Sequence, residues 1–167
     1  MRKTNIKTLA TLAILISLNI VLSRFISIKA LNFKISFTFL TIVIASYYYG
    51  YFGGIIVAFF GDLVGALLFP IGPYNPLLSI TAILSGLVYA FFFKKGLSNK
   101  NIVLACLVNR FIVSLFVNTT IISLMYNLSF KATFITRLYS SFIMFVVEVL
   151  VLIFIRKYLD RIKAWIN

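Results

Sequence analysis

GDLVGALLFPIGPYNP, residues 61 to 76, sets an acid inside an apolar helix and then stops that helix in a proline-rich turn. Asp62 is one of only three acidic residues in the chain. A carboxylate in hydrocarbon is costly on insertion, so one kept there marks a functional site by default. Pro70, Pro73 and Pro76 remove backbone donors and bias the residues before them to extended shapes. The stretch from Phe69 to Pro76 therefore cannot be helix, and it predicts an ordered loop bearing aromatic side chains at a membrane surface.

Working outward, the rest of the chain agrees with a lipid environment. Hydrophobic residues make up 62% of it and charged residues 11%, against roughly 25% charged in soluble domains. At about 20 apolar residues per spanning helix, 167 residues hold six or seven short spans and leave no room for a separate soluble domain. Apolar runs at 7 to 23, 37 to 50, 53 to 69, 77 to 93, 100 to 125 and 134 to 156 predict an all-α integral membrane protein. It is expected to be one domain, residues 1–167, a compact bundle of six transmembrane helices. Continuous runs, rather than alternating ones, argue against a barrel. Tyr47-Tyr48-Tyr49-Gly50 closes the second run as an interfacial aromatic cluster. Arg24 to Ser36 reads as a long first loop.

The net charge of +13 would suggest nucleic acid in a soluble protein; at helix ends in a membrane it reads as topology. With the N-terminus inside, Arg2, Lys3, Lys7, Lys94, Lys95, Lys100, Arg156, Lys157, Arg161 and Lys163 are cytoplasmic, and Arg24, Lys29, Lys34, Lys131 and Arg137 lie opposite. That bias predicts cytoplasmic N- and C-termini. The opposite group anchors helices at the interface or gives that face a positive field for an anionic solute. Residues 1–23 have the charge and apolar core of a signal peptide without a small-x-small cleavage site, and read as a retained first helix. Cys106, alone in an apolar run, is expected to be a small buried filler.

Three ionisable residues fall at similar depth inside the spans: Asp62, Arg110 and Glu148. Equal depth allows pairing. Arg110 neutralises one or both carboxylates, or one carboxylate stays free at the floor of a cavity. Catalysis has little to work with, since the chain has no histidine, no Cys/His cluster and no phosphate-cradling loop. No metal or cofactor is called for, and the chain is not read as an enzyme. Ala10, Ala13 and Ser17 share one face of the first helix in small-xxx-small spacing, which admits another helix closely, either of this chain or of a partner.

Leu22-Ser-Arg-Phe25, then Gly53-Gly54, then Gly61-Asp-Leu-Val-Gly-Ala-Leu-Leu-Phe-Pro-Ile-Gly-Pro-Tyr74, and Leu84-Ser-Gly-Leu-Val-Tyr89 together resemble the folate-specific substrate-binding (S) component of energy-coupling-factor vitamin transporters. The resemblance covers nearly the whole chain, and the segment from Asp62 to Tyr74 is its specific part. It implies a non-enzymatic protein of the cell membrane that binds folate or a reduced folate from outside. It also implies docking on a transmembrane scaffold (T) subunit carried by two cytoplasmic ATPases, and toppling in the lipid bilayer to release the ligand inside. The family's Ala-x-x-x-Ala face toward the scaffold subunit corresponds here to Ala13 and Ser17, an Ala-to-Ser departure, with Ala10 extending it. After Tyr74 the chain has Asn75-Pro76-Leu77 where the family has an aromatic residue and then Pro-Gly.

Folate chemistry suits residues already singled out. Phe69 and Tyr74 can stack on a flat pterin, and Gly72 between them is counted among the substrate-binding residues. Asn75, Asn118 or Asp62 can meet its amide edge, and Arg24, Lys34 or Arg137 can pair with the anionic glutamate tail, Arg bidentately. Each has a plainer role open to it: Phe69 and Tyr74 anchor the loop at the interface, and Asn118 bridges helices. The rival readings are an S component for riboflavin, thiamine or a queuosine precursor, and a stand-alone channel or carrier.

Overall fold

Lipid cannot satisfy backbone N–H and C=O groups, so continuously apolar segments close their hydrogen bonds internally as helices. The structure, a computed structural model, describes residues 6–30, 33–70, 74–94 and 96–166; at 28–30, 33–35 and 162–166 the description is of the backbone. The helices are α1 (Ile6–Arg24), α2 (Thr38–Leu68), α3 (Pro76–Phe93), α4 (Asn99–Leu107), α5 (Asn118–Met125) and α6 (Phe130–Ile166). A π-helix, Val108–Val117, joins α4 to α5 without a break, so that Asn99–Met125 forms one candidate span.

Five helices among the described residues are long and apolar enough to cross a membrane, against the six expected. The difference lies in α2, which runs through both the second and the third expected spans. Its helix is interrupted at Gly50, where φ is 65° and ψ is −147°, a left-handed conformation that glycine alone adopts without a Cβ penalty. The two arms fold back on each other there. A Cβ placed on Gly53 would sit 2.6 Å from the carbonyl oxygen of Ala45, eight residues earlier, a separation that a straight helix would stretch to about 12 Å. Further along, a Cβ on Gly54 would lie 2.9 Å from the carbonyl oxygen of Gly86, and one on Gly86 would lie 2.5 Å from that of Gly54. The second arm of α2 and α3 thus touch backbone to backbone, the close approach that small residues permit between membrane helices.

The first loop departs from the all-helical expectation. It holds a short antiparallel hairpin of β1 (Ile28–Ala30) and β2 (Phe33–Ile35), with Lys29 opposite Lys34. α6 starts earlier and ends later than expected. At 37 residues it is about 55 Å long, well beyond a hydrocarbon core of about 30 Å.

Phe39, Val43, Tyr89, Phe93, Ile102, Cys106 and Leu152 make the main buried cluster, and Cys106 is the buried filler its setting predicted. A second cluster ties α1 to both arms of α2 through Leu12, Leu15, Ala45 and Val57. At the Gly50 end, Tyr47 Oη donates to Asp160 Oδ1 at 2.6 Å and Tyr48 Oη to the Leu159 carbonyl at 2.9 Å. Two tyrosines of the aromatic cluster thereby clasp the far end of α6. Arg156 adds a hydrogen bond to Asn99 Oδ1 at 2.6 Å, which brings in the start of α4.

Candidate ligand-binding cavity

At the end of the bundle away from Gly50, α1, α2, α3, the π-helix, α5 and α6 surround a cavity of about 340 Å³. Its rim carries Ser23, Arg24, Thr38 and Leu78, residues at or near helix ends. Its floor carries Tyr89, Asn109, Arg110 and Glu148, which lie deeper along their helices. Between them the walls mix apolar groups such as Phe39 and Ile42 with Asn19, Asp62, Thr81, Ser85, Ser114 and Asn118. Few interiors of a membrane bundle are this polar without a ligand to meet.

On the floor, Glu148 is fully buried. Its Oε2 accepts from Arg110 Nε at 2.7 Å and its Oε1 from Tyr89 Oη at 2.5 Å. The charge pair expected from equal depth therefore forms, between Arg110 and Glu148 alone. Asp62 does not join it. Instead Asp62 Oδ2 accepts from Ser79 Oγ at 2.9 Å. Ser79 Oγ lies 3.0 Å from Tyr74 Oη, and since the serine proton goes to the carboxylate, the tyrosine hydroxyl is the donor in that contact. Of the two carboxylates open to Arg110, Glu148 takes it and Asp62 belongs to a separate hydrogen-bonded chain, because α2 presents Asp62 to α3 rather than to the π-helix.

Of the expected ligand-binding residues, Arg24, Asp62 and Asn118 border the cavity. Arg24 packs over Gly65, where a Cβ would come within 3.2 Å of its Nε, and that buried Nε has no hydrogen-bond partner. The Asn118 amide meets Thr81 Oγ1 at 3.1 Å, a contact that bridges two helices, while the threonine also bonds the Leu78 carbonyl at 2.7 Å.

Others do not border the cavity. Phe69 packs edge-on against Phe25 at 5.1 Å between ring centroids, and 43% of it is exposed, so it closes the two loops onto each other. Tyr74 acts on the cavity only through Ser79 and Asp62. Asn75 is spent as the N-cap of α3, accepting from Leu77 N at 2.8 Å, with Pro76 at the first helical position. Arg137, half-buried on the first turns of α6, does not line the cavity itself but lies within electrostatic range of Arg110, which does. Gly72 lies outside the described residues, as does the side chain of Lys34.

Asn19, Tyr89 and Asn109 are cavity residues that went unrecognised in the sequence. Asn19 Nδ2 donates to Thr41 Oγ1 at 2.7 Å, and Asn109 Nδ2 donates to Tyr89 Oη at 2.9 Å. The signal for the two asparagines was present, since an amide inside an apolar run needs a partner as surely as a carboxylate does. On the far side of α1, Ala10, Ala13 and Ser17 are all exposed. No helix among the described residues covers them, which removes the reading that this face packs within the chain.

Residues 7–158 match the family described as ECF transporter, substrate-specific component. The chain is 30% identical to the folate transporter FolT of Clostridium novyi (strain NT) over 164 residues, 98% of this chain and 94% of that one. Its fold is similar to a crystal structure of FolT bound with folic acid, with a TM-score of 0.80 and 32% identity over 87% of this chain and 89% of the other.

Proposed function

The chain belongs to the substrate-specific components of ECF transporters, and from that premise we propose that it is the folate-binding one, a multi-pass membrane protein that captures folate or a reduced folate. The observation that carries this reading is the near end-to-end likeness to FolT, in sequence and in a fold known with folic acid bound.

The cavity supports it chemically. Arg110 on the floor is balanced by Glu148, so the floor favours a neutral polar heterocycle, and Phe39 and Tyr89 offer aromatic surface beside it. Arg24 on the rim brings a guanidinium to the mouth of the cavity, which suits a carboxylate of the glutamate tail. The pterin accordingly sits inward and the tail outward. Asp62 and Asn118 meet polar atoms between the two ends.

The same proposal covers topology and partners. Each arm of α2 crosses the bilayer, giving six crossings in a single domain with both termini cytoplasmic. Import requires a scaffold subunit and two ATPases, because the chain carries no nucleotide-binding loop. The exposed face of Ala10, Ala13 and Ser17 receives a helix of the scaffold subunit.

The test is to purify the protein in detergent without added ligand, denature it, and identify any released small molecule by mass spectrometry, then titrate the stripped protein with folic acid. Folate released at close to one per chain, or tight binding without ATP, is the expected result. A different vitamin replaces the ligand and keeps the architecture; an empty protein that ignores folic acid overturns the reading.

A further inference from the structure

The last turns of α6 have two faces put to opposite uses. Inward, Arg156 donates to Asn99 Oδ1, Leu159 is buried in the main apolar cluster, and Asp160 accepts from Tyr47 Oη. Outward, Phe154, Lys157, Tyr158 and Arg161 recur at i, i+3, i+4 and i+7 and so share one face. All four are exposed, and the rings of Phe154 and Tyr158 stand 6.3 Å apart between centroids. Earlier along the helix the exposed side chains Val146 and Leu150 are apolar. The outward face of α6 therefore passes from aliphatic to aromatic to cationic, the order met on leaving the hydrocarbon for the headgroups.

The spacing matches that boundary. Lys157 and Arg161 stand about 5 Å and about 10 Å beyond Phe154 along the helix axis, where a headgroup layer is about 5–8 Å deep on each side of the bilayer. Nor is their charge cancelled from within the chain. Of its three acidic residues, Glu148 pairs with Arg110, Asp160 pairs with Arg156, and Asp62 bonds Ser79 at the cavity. Among the described residues no ion pair reaches Lys157 or Arg161.

We propose that Phe154, Lys157, Tyr158 and Arg161 form a binding site for an anionic phospholipid, with the headgroup phosphate held by the two cations and an acyl chain lying along Phe154 and Leu150. A net negative headgroup keeps the attraction that a zwitterionic one cancels with its own cation. A free phosphate would leave the apolar part of the face unused, so the ligand is a lipid. The site lies at the Gly50 end, away from the mouth of the cavity, and does not depend on which solute that cavity takes.

The experiment is native mass spectrometry of the full chain in detergent, with phosphatidylglycerol and phosphatidylcholine of identical acyl chains. Wild type should hold phosphatidylglycerol about 30-fold more tightly, the joint effect of two cations at an anionic headgroup, and the preference should shrink as salt rises. Lys157→Gln with Arg161→Gln should bring the ratio below about 3-fold while the unfolding midpoint in lipid-free detergent stays unchanged. Arg161→Gln alone should leave a ratio of about 5-fold and carries the test if the double variant does not fold. Lys131→Gln removes an exposed cation from the other end of α6 and should keep the wild-type ratio. Equal retention of the two lipids by wild type, a wild-type ratio in the double variant, or the same loss in Lys131→Gln overturns the site. A double variant that keeps the lipid ratio but no longer assembles with a scaffold subunit and ATPases assigns this face to a protein partner and overturns it as well.

Discussion

α6 carries two acids twelve residues apart, and each sits between a tyrosine and an arginine. Glu148 joins Tyr89 and Arg110 with its side chain fully buried. Asp160 joins Tyr47 and Arg156 at the Gly50 end, where the ion pair is longer, 3.6 Å, and the two side chains are 38% and 44% exposed. The residue types are nearly the same and the surroundings are opposite. A buried pair is expensive to form and more expensive to break, because removing one partner strands the other charge. An exposed pair is weak whichever partner is removed. The inner triad thus fixes the cavity floor, and the outer one is a minor clasp on helices already held by apolar contacts.

The contrast is broken most readily at its strong end. Glu148→Ala should cost about 3–5 kcal/mol by stranding Arg110, read as a fall in the unfolding midpoint in detergent with loss of folate binding. Replacing both partners, Glu148→Met with Arg110→Met, should recover much of that stability while binding stays lost. A double variant as unstable as Glu148→Ala would mean that the cost lies in packing and not in the stranded charge.

Arg24 extends the contrast to an arginine with no acid beside it. Arg24→Ala should weaken folic acid binding by about 10-fold, the loss of a charge-assisted contact, with little change in the affinity for a tail-less pterin or in the unfolding midpoint. Equal losses for both ligands would make Arg24 a structural residue. At the weak end, Asp160→Asn should cost about 0–1 kcal/mol, and a loss like that of Glu148→Ala would erase the distinction between the triads. The smallest expected effect is one of salt. Near 1 M, where the screening length is about 3 Å, the remaining difference between wild type and Asp160→Asn should vanish, while that for Glu148→Ala should persist.

How much of this was legible in the sequence differs by residue. That Arg110 would neutralise a carboxylate was legible because depth in a bilayer can be counted from helix rise alone, but which of the two it would take was not. Asp62 was placed at the cavity for the same reason, but its partner was not, since depth says nothing about which way round the helix a side chain faces. Asn75 was misread although its signature was plain. An asparagine followed by proline at the first helical position is a cap, and the attraction of a polar residue in a binding loop hid it. Arg137 is a different case: a charge bias assigns a side of the membrane and does not say how near the cavity a side chain on the first turns of α6 stands. Gly50 was seen as the end of a run. That it reverses the chain without a loop depends on a single positive φ, which composition does not reveal.

The π-helix was not legible at all, and it governs how α4 and α5 are set against each other. A π turn takes about one residue more than an α turn. Asn109 and Asn118, nine residues apart, are therefore two such turns apart and line up along one side, where α winding would leave them half a turn out of step. The segment works like an inserted letter that shifts the reading frame of a helix face. Deleting one residue between 111 and 117 would rewind it and turn everything beyond by about 100°, carrying Asn118 away from the cavity while hydropathy along the span stayed almost unchanged. Two chains with indistinguishable hydropathy profiles can therefore differ in whether the cavity has a complete wall.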